Sequence, residues 1–309
     1  MSIELQAGKV HALVGENGAG KSTLFKICAG VIPSDGGKLS LDGTAYNPRN
    51  MRQAQAAGVA LVFQEMTINP SLDIAENIHI DQMQKYAGVL GISRWRNLRR
   101  SAQDLLDELG ANISVNQKLH TLDLGQRKVL EIARALSYRP KVLLLDESTA
   151  FLDTREIETL FKAIHTLREQ GIAIGYISHH LDEVDQIADT ITILKDGTWV
   201  GNFERGELTN KQIEARMVGR EIGENIYPPL QPFKNQEVVL SLTDVTIPGI
   251  LKPTSMTLYR GEILGLAGLK GSGGEFLIRS LIGDEKLSAG EMRLFGQPYK
   301  PKSPVDAWK

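Results

Sequence analysis

Cysteine is nearly absent from the sequence, and so are long apolar runs and an excess of one charge. Cys28 is the single cysteine among 309 residues, which excludes a disulfide framework and is typical of a reducing compartment. No apolar stretch reaches the roughly 20 residues that a membrane-spanning helix needs. The net charge of −2 argues against a dedicated nucleic-acid-binding protein, which would carry a basic excess. The first residues, MSIELQAGK, lack the apolar segment of a signal peptide, so we expect a cytosolic protein.

The residues that are present suit a folded chain. Hydrophobic residues make up 42% of the sequence and charged residues 23%, a balance that fills a buried core and excludes a disordered chain. At roughly 150 residues per domain, the length allows about two domains.

A glycine-rich loop near the start of the chain predicts a phosphate site. The strand-like run VHALV is followed by GENGAGKST and then by apolar residues at helical spacing, which is the context of the G-x-x-x-x-G-K-[ST] motif. Glycine lets the backbone turn its N–H groups inward, and the helix N-terminus adds a positive end. The alternative is a glycine-rich turn that only starts a helix. The candidate nucleotide-binding residues are Gly15, Glu16, Asn17, Gly18, Ala19, Gly20, Lys21, Ser22 and Thr23.

Within this loop, Lys21 is expected to reach the β- and γ-phosphates, and the Ser22 hydroxyl suits Mg²⁺. A second apolar run, KVLLLDE at residues 141–147, ends in two carboxylates. Such a run is typical of a buried parallel strand, and ligands bind beyond the carboxyl ends of such strands. We expect Asp146 to hold Mg²⁺ through water and Glu147 to polarise an attacking water. The alternative is a strand followed by an ordinary acidic turn.

A third apolar run, at residues 172–178, ends at His179. This strand should lie beside the strand of Asp146, which would let His179 contact a γ-phosphate. His11, His79, His120 and His165 fit structural or surface positions, and no spacing of His, Cys and carboxylates suggests zinc.

Six motifs occur in one order along the first 180 residues, and they resemble those of the ATP-binding-cassette (ABC) ATPases. They are GENGAGKST, Gln64 at the end of GVALVFQ, the segment LDLGQ, LLLDE, AFLD at residues 150–153, and His179. In the family they correspond to Walker A, Q-loop, signature, Walker B, D-loop and switch histidine. The signature residues are Leu122, Asp123, Leu124, Gly125 and Gln126. Smaller segments, such as ISHHLDEV and MVGRE, resemble the monosaccharide-import ATPases, which carry two cassettes in one chain.

The resemblance implies an α/β fold, a P-loop NTPase cassette with a RecA-like core, a mixed sheet and a helical subdomain. It implies ATP and Mg²⁺ as cofactors and hydrolysis that energises an importer for a monosaccharide. The implied partners are membrane permease subunits, an external sugar-binding protein, and the rest of a second cassette or another ABC subunit. Nucleic acid is not expected, and the implied location is the cytoplasmic face of the membrane. Gln64 would sense the metal and relay to the permease.

An internal repeat predicts a second cassette. With an offset of 253 residues, seven glycines align without a gap. They are Gly8, Gly15, Gly18, Gly20, Gly30, Gly37 and Gly43, which meet Gly261, Gly268, Gly271, Gly273, Gly283, Gly290 and Gly296. We expect a first cassette at residues 1–220 without its N-terminal strand, a linker at 221–237, and the incomplete start of a second cassette at 238–309. The second copy is expected to be a strand, a loop and a helix with an unfinished sheet and uncovered apolar surface.

The chain departs from the family pattern at four positions. In the second copy Gly274 replaces the lysine and Glu275 the serine of the phosphate loop, and both changes oppose nucleotide binding. The signature has Asp123 where the family usually has Ser, which would place an anion toward a γ-phosphate. In a head-to-tail pair these changes would fall in one degenerate composite site. Ser148 stands where the family commonly has Pro.

Two other functions stay open at this point. A non-transport ABC protein acting on nucleic acid or ribosomes is suggested by RWRNLRR at residues 94–100. The slightly acidic overall charge favours the alternative interpretation of this run, the solvated face of a helix with Trp95 packed onto the domain. A truncated nucleotide-binding remnant without turnover is the other. It would lack the aromatic residue that stacks on adenine in the family, because that residue belongs to a segment before the phosphate loop.

Overall fold

The computed structural model describes residues 2–86, 95–149, 152–219, 237–268 and 271–308. The chain forms two compact units, Met1–Glu224 and Asn225–Lys309. The strands of the first unit are β1 (Val10–Val14), β2 (Leu39–Leu41), β3 (Thr44–Tyr46), β4 (Val59–Val62), β5 (Val142–Asp146), β6 (Ala173–Ile177), β7 (Thr190–Lys195) and β8 (Thr198–Glu204). Its helices are α1 (Lys21–Cys28), α2 (Met51–Ala57), α3 (Ile74–His79), α4 (Trp95–Glu108), α5 (Leu124–Leu136), α6 (Thr154–Glu169), α7 (Leu181–Ile187) and α8 (Asn210–Val218).

Six strands of the first unit form one mixed sheet in the order β4-β5-β6-β1-β7-β8. The first five strands are parallel and β8 is antiparallel. Strands β1, β4, β5 and β6 are almost wholly buried, which explains why their sequences are continuously apolar rather than alternating. The predicted neighbourhood of the Asp146 and His179 strands is confirmed, since β5 pairs with β6 and Asp146 lies opposite Ile177. The loops that follow β1, β5 and β6 therefore open at one edge of the sheet.

The helices cover the sheet with the apolar faces that their sequences predict. On α6 the buried residues include Leu160, Phe161, Ile164 and Leu167, which is the i, i+3, i+4, i+7 pattern of a core-packing helix. Helices α3, α4 and α5 pack against one another through buried leucine and isoleucine side chains. Helices α3, α5 and α6 each begin with a reciprocal capping box, so their start positions are fixed locally. None of the described helices combines the length and the apolar character that crossing a bilayer requires.

The second unit is a small antiparallel sheet with one longer helix. Its elements are β9 (Val238–Ile247), β10 (Leu251–Tyr259), α9 (Gly274–Leu281), β11 (Ala289–Leu294), β12 (Gln297–Pro298) and α10 (Pro304–Ala307). The sheet has the order β10-β9-β11-β12. Leu240, Leu242, Val245, Leu277 and Met292 belong to its core.

The backbone supports the internal repeat. Gly18 and Gly271 have φ of 85° and 84°, and Gly20 and Gly273 have φ of 96° and 94°. Two non-glycine residues at the same offset, Asp42 and Phe295, share a left-handed φ of 51° and 49°. The Tyr46 hydroxyl donates to the Cys28 carbonyl at 2.7 Å, and the Tyr299 hydroxyl donates to the Leu281 carbonyl at 3.0 Å. Equivalent residues thus form equivalent turns and bonds in both units.

The strand expected before the second phosphate loop is not formed. Residues 262–268 adopt no strand, and Ile263 is 98% exposed. In the first unit the corresponding strand, β1, is paired on both sides by β6 and β7. The described part of the second unit supplies no such parallel neighbours, so the expected strand is wrong, whereas the expected exposed apolar surface is present.

Candidate nucleotide-phosphate site

The loop after β1 wraps around the ammonium group of Lys21. This side chain is buried, and its Nζ donates to the carbonyl of Gly15 at 2.8 Å and to that of Glu16 at 3.0 Å. Gly18 and Gly20 take left-handed φ values that other residues rarely adopt. A Cβ atom on Gly15 would lie 2.3 Å from the Leu194 carbonyl oxygen, so the loop approaches β7 too closely for any side chain at this position.

Helix α1 begins at the end of this loop without a side-chain cap. Its N-cap residue is Gly20, which makes no capping side-chain bond, so the first N–H groups of the helix remain available to an anion. Glu16, Asn17, Gly18 and Thr23 are exposed, while Ala19 is buried. A buried ammonium beside an uncapped helix N-terminus is a donor set that fits a phosphate chain.

Burial also sets the ionisation of the charged groups here. Desolvation lowers the pKa of Lys21, while the carboxylates of Glu147 and Asp146 act in the opposite direction. Desolvation raises the pKa of Asp146, and the hydrogen bond from Ser22 opposes this rise. Both groups therefore lose hydration in the folded chain, and each favours an oppositely charged partner.

Ser22, at the start of α1, and Asp146, at the end of β5, place two possible oxygen ligands for a metal side by side. The Ser22 hydroxyl donates to Asp146 Oδ1 at 2.8 Å, and Asp146 is buried at the end of β5. A hydroxyl and a carboxylate are the hard oxygen ligands that Mg²⁺ prefers. The donor set of these two residues therefore fits the predicted metal.

Glu147 brings the other two predicted catalytic residues together. Its Oε2 accepts from Gln64 Nε2 at 2.7 Å, and its Oε1 lies 3.6 Å from His179 Nδ1. Glu147 has a left-handed φ of 40°, and its N–H donates to the Ile177 carbonyl. A non-glycine residue in this conformation is strained, and such strain clusters at functional sites. The structure places Gln64 on Glu147; the described hydrogen bonds include none from Gln64 to Ser22 or Asp146.

The signature residues lie at the start of α5. Asp123 is the N-cap of this helix, and its carboxylate accepts the Gln126 N–H at 2.7 Å while the Gln126 side chain accepts the Asp123 N–H. Leu122 is buried, and the Leu124 N–H donates to Glu156. A Cβ on Gly125 would lie 2.8 Å from the backbone of Glu156. The expectation of an anion aimed at a phosphate overlooked this local role: the Asp123 side chain caps its own helix.

We expect Asp123→Ala to lower the free energy of unfolding by about 1 kcal/mol, because it removes the acceptor for an N–H group at the start of α5. Asp123→Ser keeps a capping oxygen and should stay within about 0.5 kcal/mol of the original chain. Urea unfolding followed by circular dichroism measures both. Equal losses for alanine and serine would contradict the capping role.

The polar side chains with which α5 contacts residues 63–67, the Gln64 segment, were not predicted from the sequence. Lys128 and Glu131 are buried and form an ion pair at 2.7 Å. Lys128 Nζ also donates to the Phe63 carbonyl at 3.0 Å, and Glu131 accepts from the N–H and hydroxyl of Thr67. The signal available in the sequence was two opposite charges three residues apart within an otherwise apolar helix face.

Other predicted features lie partly outside the described residues. Of AFLD, Ala150 and Phe151 are outside, while Asp153 caps α6. The linker lies almost wholly outside, as do Arg94 of the basic run and Leu269 and Lys270 of the second phosphate loop.

The structure also gives the surroundings of Trp95 in the basic run and of two residues that depart from the family pattern, Glu275 and Ser148. Trp95 is 43% exposed rather than covered. In the second unit Glu275 stands in the first turn of α9, where the first unit has Ser22. Ser148 is fully buried, and its hydroxyl has no hydrogen-bond partner among the described residues.

The fold and the arrangement of the phosphate loop resemble those of ATP-binding cassettes of the ABC class. Residues 1–150 match the family model described as ABC transporter. The fold resembles a nucleotide-free ATP-binding cassette from an ABC transporter, with a TM-score of 0.58 and 24% identity over 67% of this chain and 85% of that one. It also resembles cbiO1 from Clostridium perfringens, part of the ABC transporter complex cbiONQ, with a TM-score of 0.56 and 24% identity over 71% of this chain and 86% of that one.

The chain is also similar to curated proteins whose names specify sugar import. The chain is 41% identical to the ribose import ATP-binding protein RbsA of Bacillus cereus, over 98% of this chain and 61% of that protein. It is 40% identical to the arabinose import ATP-binding protein AraG of Yersinia pestis, over 99% of this chain and 58% of that protein. Residues 1–150 match the ABC transporter family, and the chain is similar to sugar-import ATP-binding proteins, which is the resemblance that the sequence motifs predicted. It spans about 60% of the length of these relatives.

Proposed function

We propose that the first unit binds MgATP and hydrolyses it to energise an ABC importer for a monosaccharide. The observation that carries the proposal is the meeting of three groups at one edge of the sheet: the Lys21 loop, the Ser22–Asp146 pair and the Glu147 contacts. The names of the relatives support sugar import. They favour it over a role on nucleic acid, for which the described residues offer the exposed basic start of α4.

The chemistry we propose is in-line attack of water on the γ-phosphate of ATP, which depends mainly on positioning and charge stabilisation. The buried Lys21 ammonium and the uncapped start of α1 would bind the phosphate chain. Mg²⁺, held by Ser22 and by Asp146 through water, would supply neutralisation of phosphate charge.

Orientation of the attacking water and contact with the γ-phosphate are assigned to Glu147 and to the residues around it. Its carboxylate is proposed to orient the attacking water and accept its proton, while Gln64 fixes the carboxylate through a 2.7 Å bond. His179, which is half-exposed beside it, would contact the γ-phosphate. Ser22, Gln64 and Asp146 are the proposed metal-site residues; in the structure the Gln64 side chain is bonded to Glu147.

A cavity beside the Gln64 segment supports a permease partner. It has a volume of about 560 Å³ and is lined by Met66, Ile68, Leu72, Leu119 and Arg127, among others. The backbone at one wall is bonded to α5 through Glu131 and Thr67. An apolar groove next to a catalytic segment suits a protein partner whose movement is felt at Gln64. Such a permease, with an external sugar-binding protein, would place the chain at the cytoplasmic face of a membrane.

Removal of the Ser22 hydroxyl tests the metal part of the proposal. Titration of the full chain with a fluorescent ATP analogue, with Mg²⁺ and with excess EDTA, gives two affinities. We expect Ser22→Ala to weaken binding about tenfold in Mg²⁺, the value of one bond to a charged group, and to leave binding in EDTA unchanged. Ser22→Thr keeps a hydroxyl and is the matched control. An equal loss in both media would mean that Ser22 does not serve the metal.

A further inference from the structure

One buried carboxylate joins the loop that carries Glu147 to the loop that carries His179. Glu183 Oε2 accepts hydrogen bonds from Thr149 Oγ1 at 2.7 Å, from the Tyr176 hydroxyl at 2.7 Å and from Ser178 Oγ at 2.8 Å. All four side chains are less than a tenth exposed. Thr149 lies two residues after Glu147, and Ser178 directly precedes His179. The three donors therefore come from both loops and from the strand between them.

The network continues from Ser178 and Glu183 into the start of helix α7. The Ser178 hydroxyl, besides donating to Glu183, accepts the N–H of His180 at 3.0 Å, and His180 is the N-cap residue of α7. Glu183 lies in the first turn of that helix, where a negative charge is favoured by the helix N-terminus. Burial and the charge of Glu183 raise the pKa of Tyr176 well above its usual range, so the phenol stays protonated and donates.

A single charged acceptor with three hydroxyl donors is rigid, because moving any donor leaves a buried polar group unpaired. The strained backbone of Glu147 needs such support from its surroundings. We propose that Glu183 is a positioning residue that fixes the Glu147 loop relative to His179. It touches neither proposed reactant, and the inference rests on the proposed function in assigning Glu147 and His179 to hydrolysis.

The test asks whether a change in one loop is felt in the other. Histidine ring signals of the full, nucleotide-free chain are recorded by NMR after selective histidine labelling, with the His179 signal assigned from His179→Gln. Thr149→Val removes from the Glu147 loop the bond to Glu183 and a longer contact with the Tyr176 hydroxyl, and we expect it to shift or broaden the His179 signal. Ser178→Ala removes the bond to Glu183 and also the acceptor of the His180 N–H in the other loop. Through the lost Glu183 bond, we expect amide exchange around Glu147 to accelerate about fivefold, the value of one net hydrogen bond.

Glu183 itself is changed in two ways. Glu183→Leu should alter both readouts at once, whereas Glu183→Gln, which keeps an acceptor oxygen of similar shape, should restore most of the original His179 signal. Glu76→Leu is the matched control, because Glu76 also accepts a bond in the first turn of a short helix, from the Asp73 N–H. It should leave the His179 signal unchanged.

The inference is overturned if Thr149→Val and Ser178→Ala each affect their own loop alone. It is also overturned if the distant His120 and His165 signals change as much as that of His179, since that result indicates general loosening. If Glu183→Leu fails to fold, the results for Thr149→Val and Ser178→Ala decide. Every readout uses the chain without nucleotide, so a failure of the proposed hydrolysis would appear in binding and turnover measurements and not here.

Discussion

Replacing Lys21 with methionine is expected to weaken binding of an ATP analogue by about tenfold to a hundredfold. The estimate is the value of one charge-assisted hydrogen bond, about 1.5–3 kcal/mol. Lys21 is buried at the centre of the glycine loop, and its ammonium group donates to two loop carbonyls. The loop therefore encloses a positive charge. Methionine keeps the volume of the stem and removes the charge, so the loss reports on the ammonium group rather than on packing.

Calorimetry or fluorescence titration of the full chain measures this affinity, and thermal unfolding shows whether the variant is folded. Lys9→Ala is the matched control, because it removes the same charge from an exposed position directly before β1. It should bind as the original chain does. Undiminished affinity in Lys21→Met would remove the phosphate loop from the proposal, and the transport assignment would lose its energy source.

The parts of the site that sequence analysis predicted are those set by short stretches of chain. The phosphate loop depends on glycines and a lysine within nine residues, and Gly18 and Gly20 do adopt left-handed conformations. The approach of Glu147 to His179 follows from two buried strands, whose carboxyl ends must open at one edge once the strands are neighbours. Here pattern and topology act together, so the residues could be named in advance.

The parts that were missed depend on tertiary packing. Nothing in the local sequence indicates that Glu183 collects hydroxyls from three segments, or that Lys128 of α5 bonds to the Phe63 carbonyl. Asp123 was interpreted through its family position, although a capping box with Gln126 is readable from the sequence alone. The expected strand at residues 262–268 failed because a buried strand needs neighbours on both sides, and apolar residues alone do not supply them.

Replacing Glu147 with glutamine is expected to lower ATP turnover by about 10²–10⁴-fold, the usual contribution of a general base, while ATP affinity changes little. The carboxylate accepts from Gln64 with one oxygen and faces His179 with the other. The substituted amide has the same shape and keeps one acceptor, so the Gln64 bond and the loop should survive. It has lost the ability to accept a proton from water, and chemistry should fail while binding persists.

Turnover is measured as phosphate release by the full chain together with its proposed partners, and affinity by titration of the same variant. Glu65→Gln, one residue after Gln64 and exposed, removes an equal charge outside the described contacts of Glu147 and serves as the control. Glutamine at this position must adopt the same strained φ as Glu147 for ATP affinity to be kept. Normal affinity together with low turnover therefore shows that the loop is intact and that the chemical step has failed. A variant that binds normally and still turns over at the original rate would show that another group activates the water.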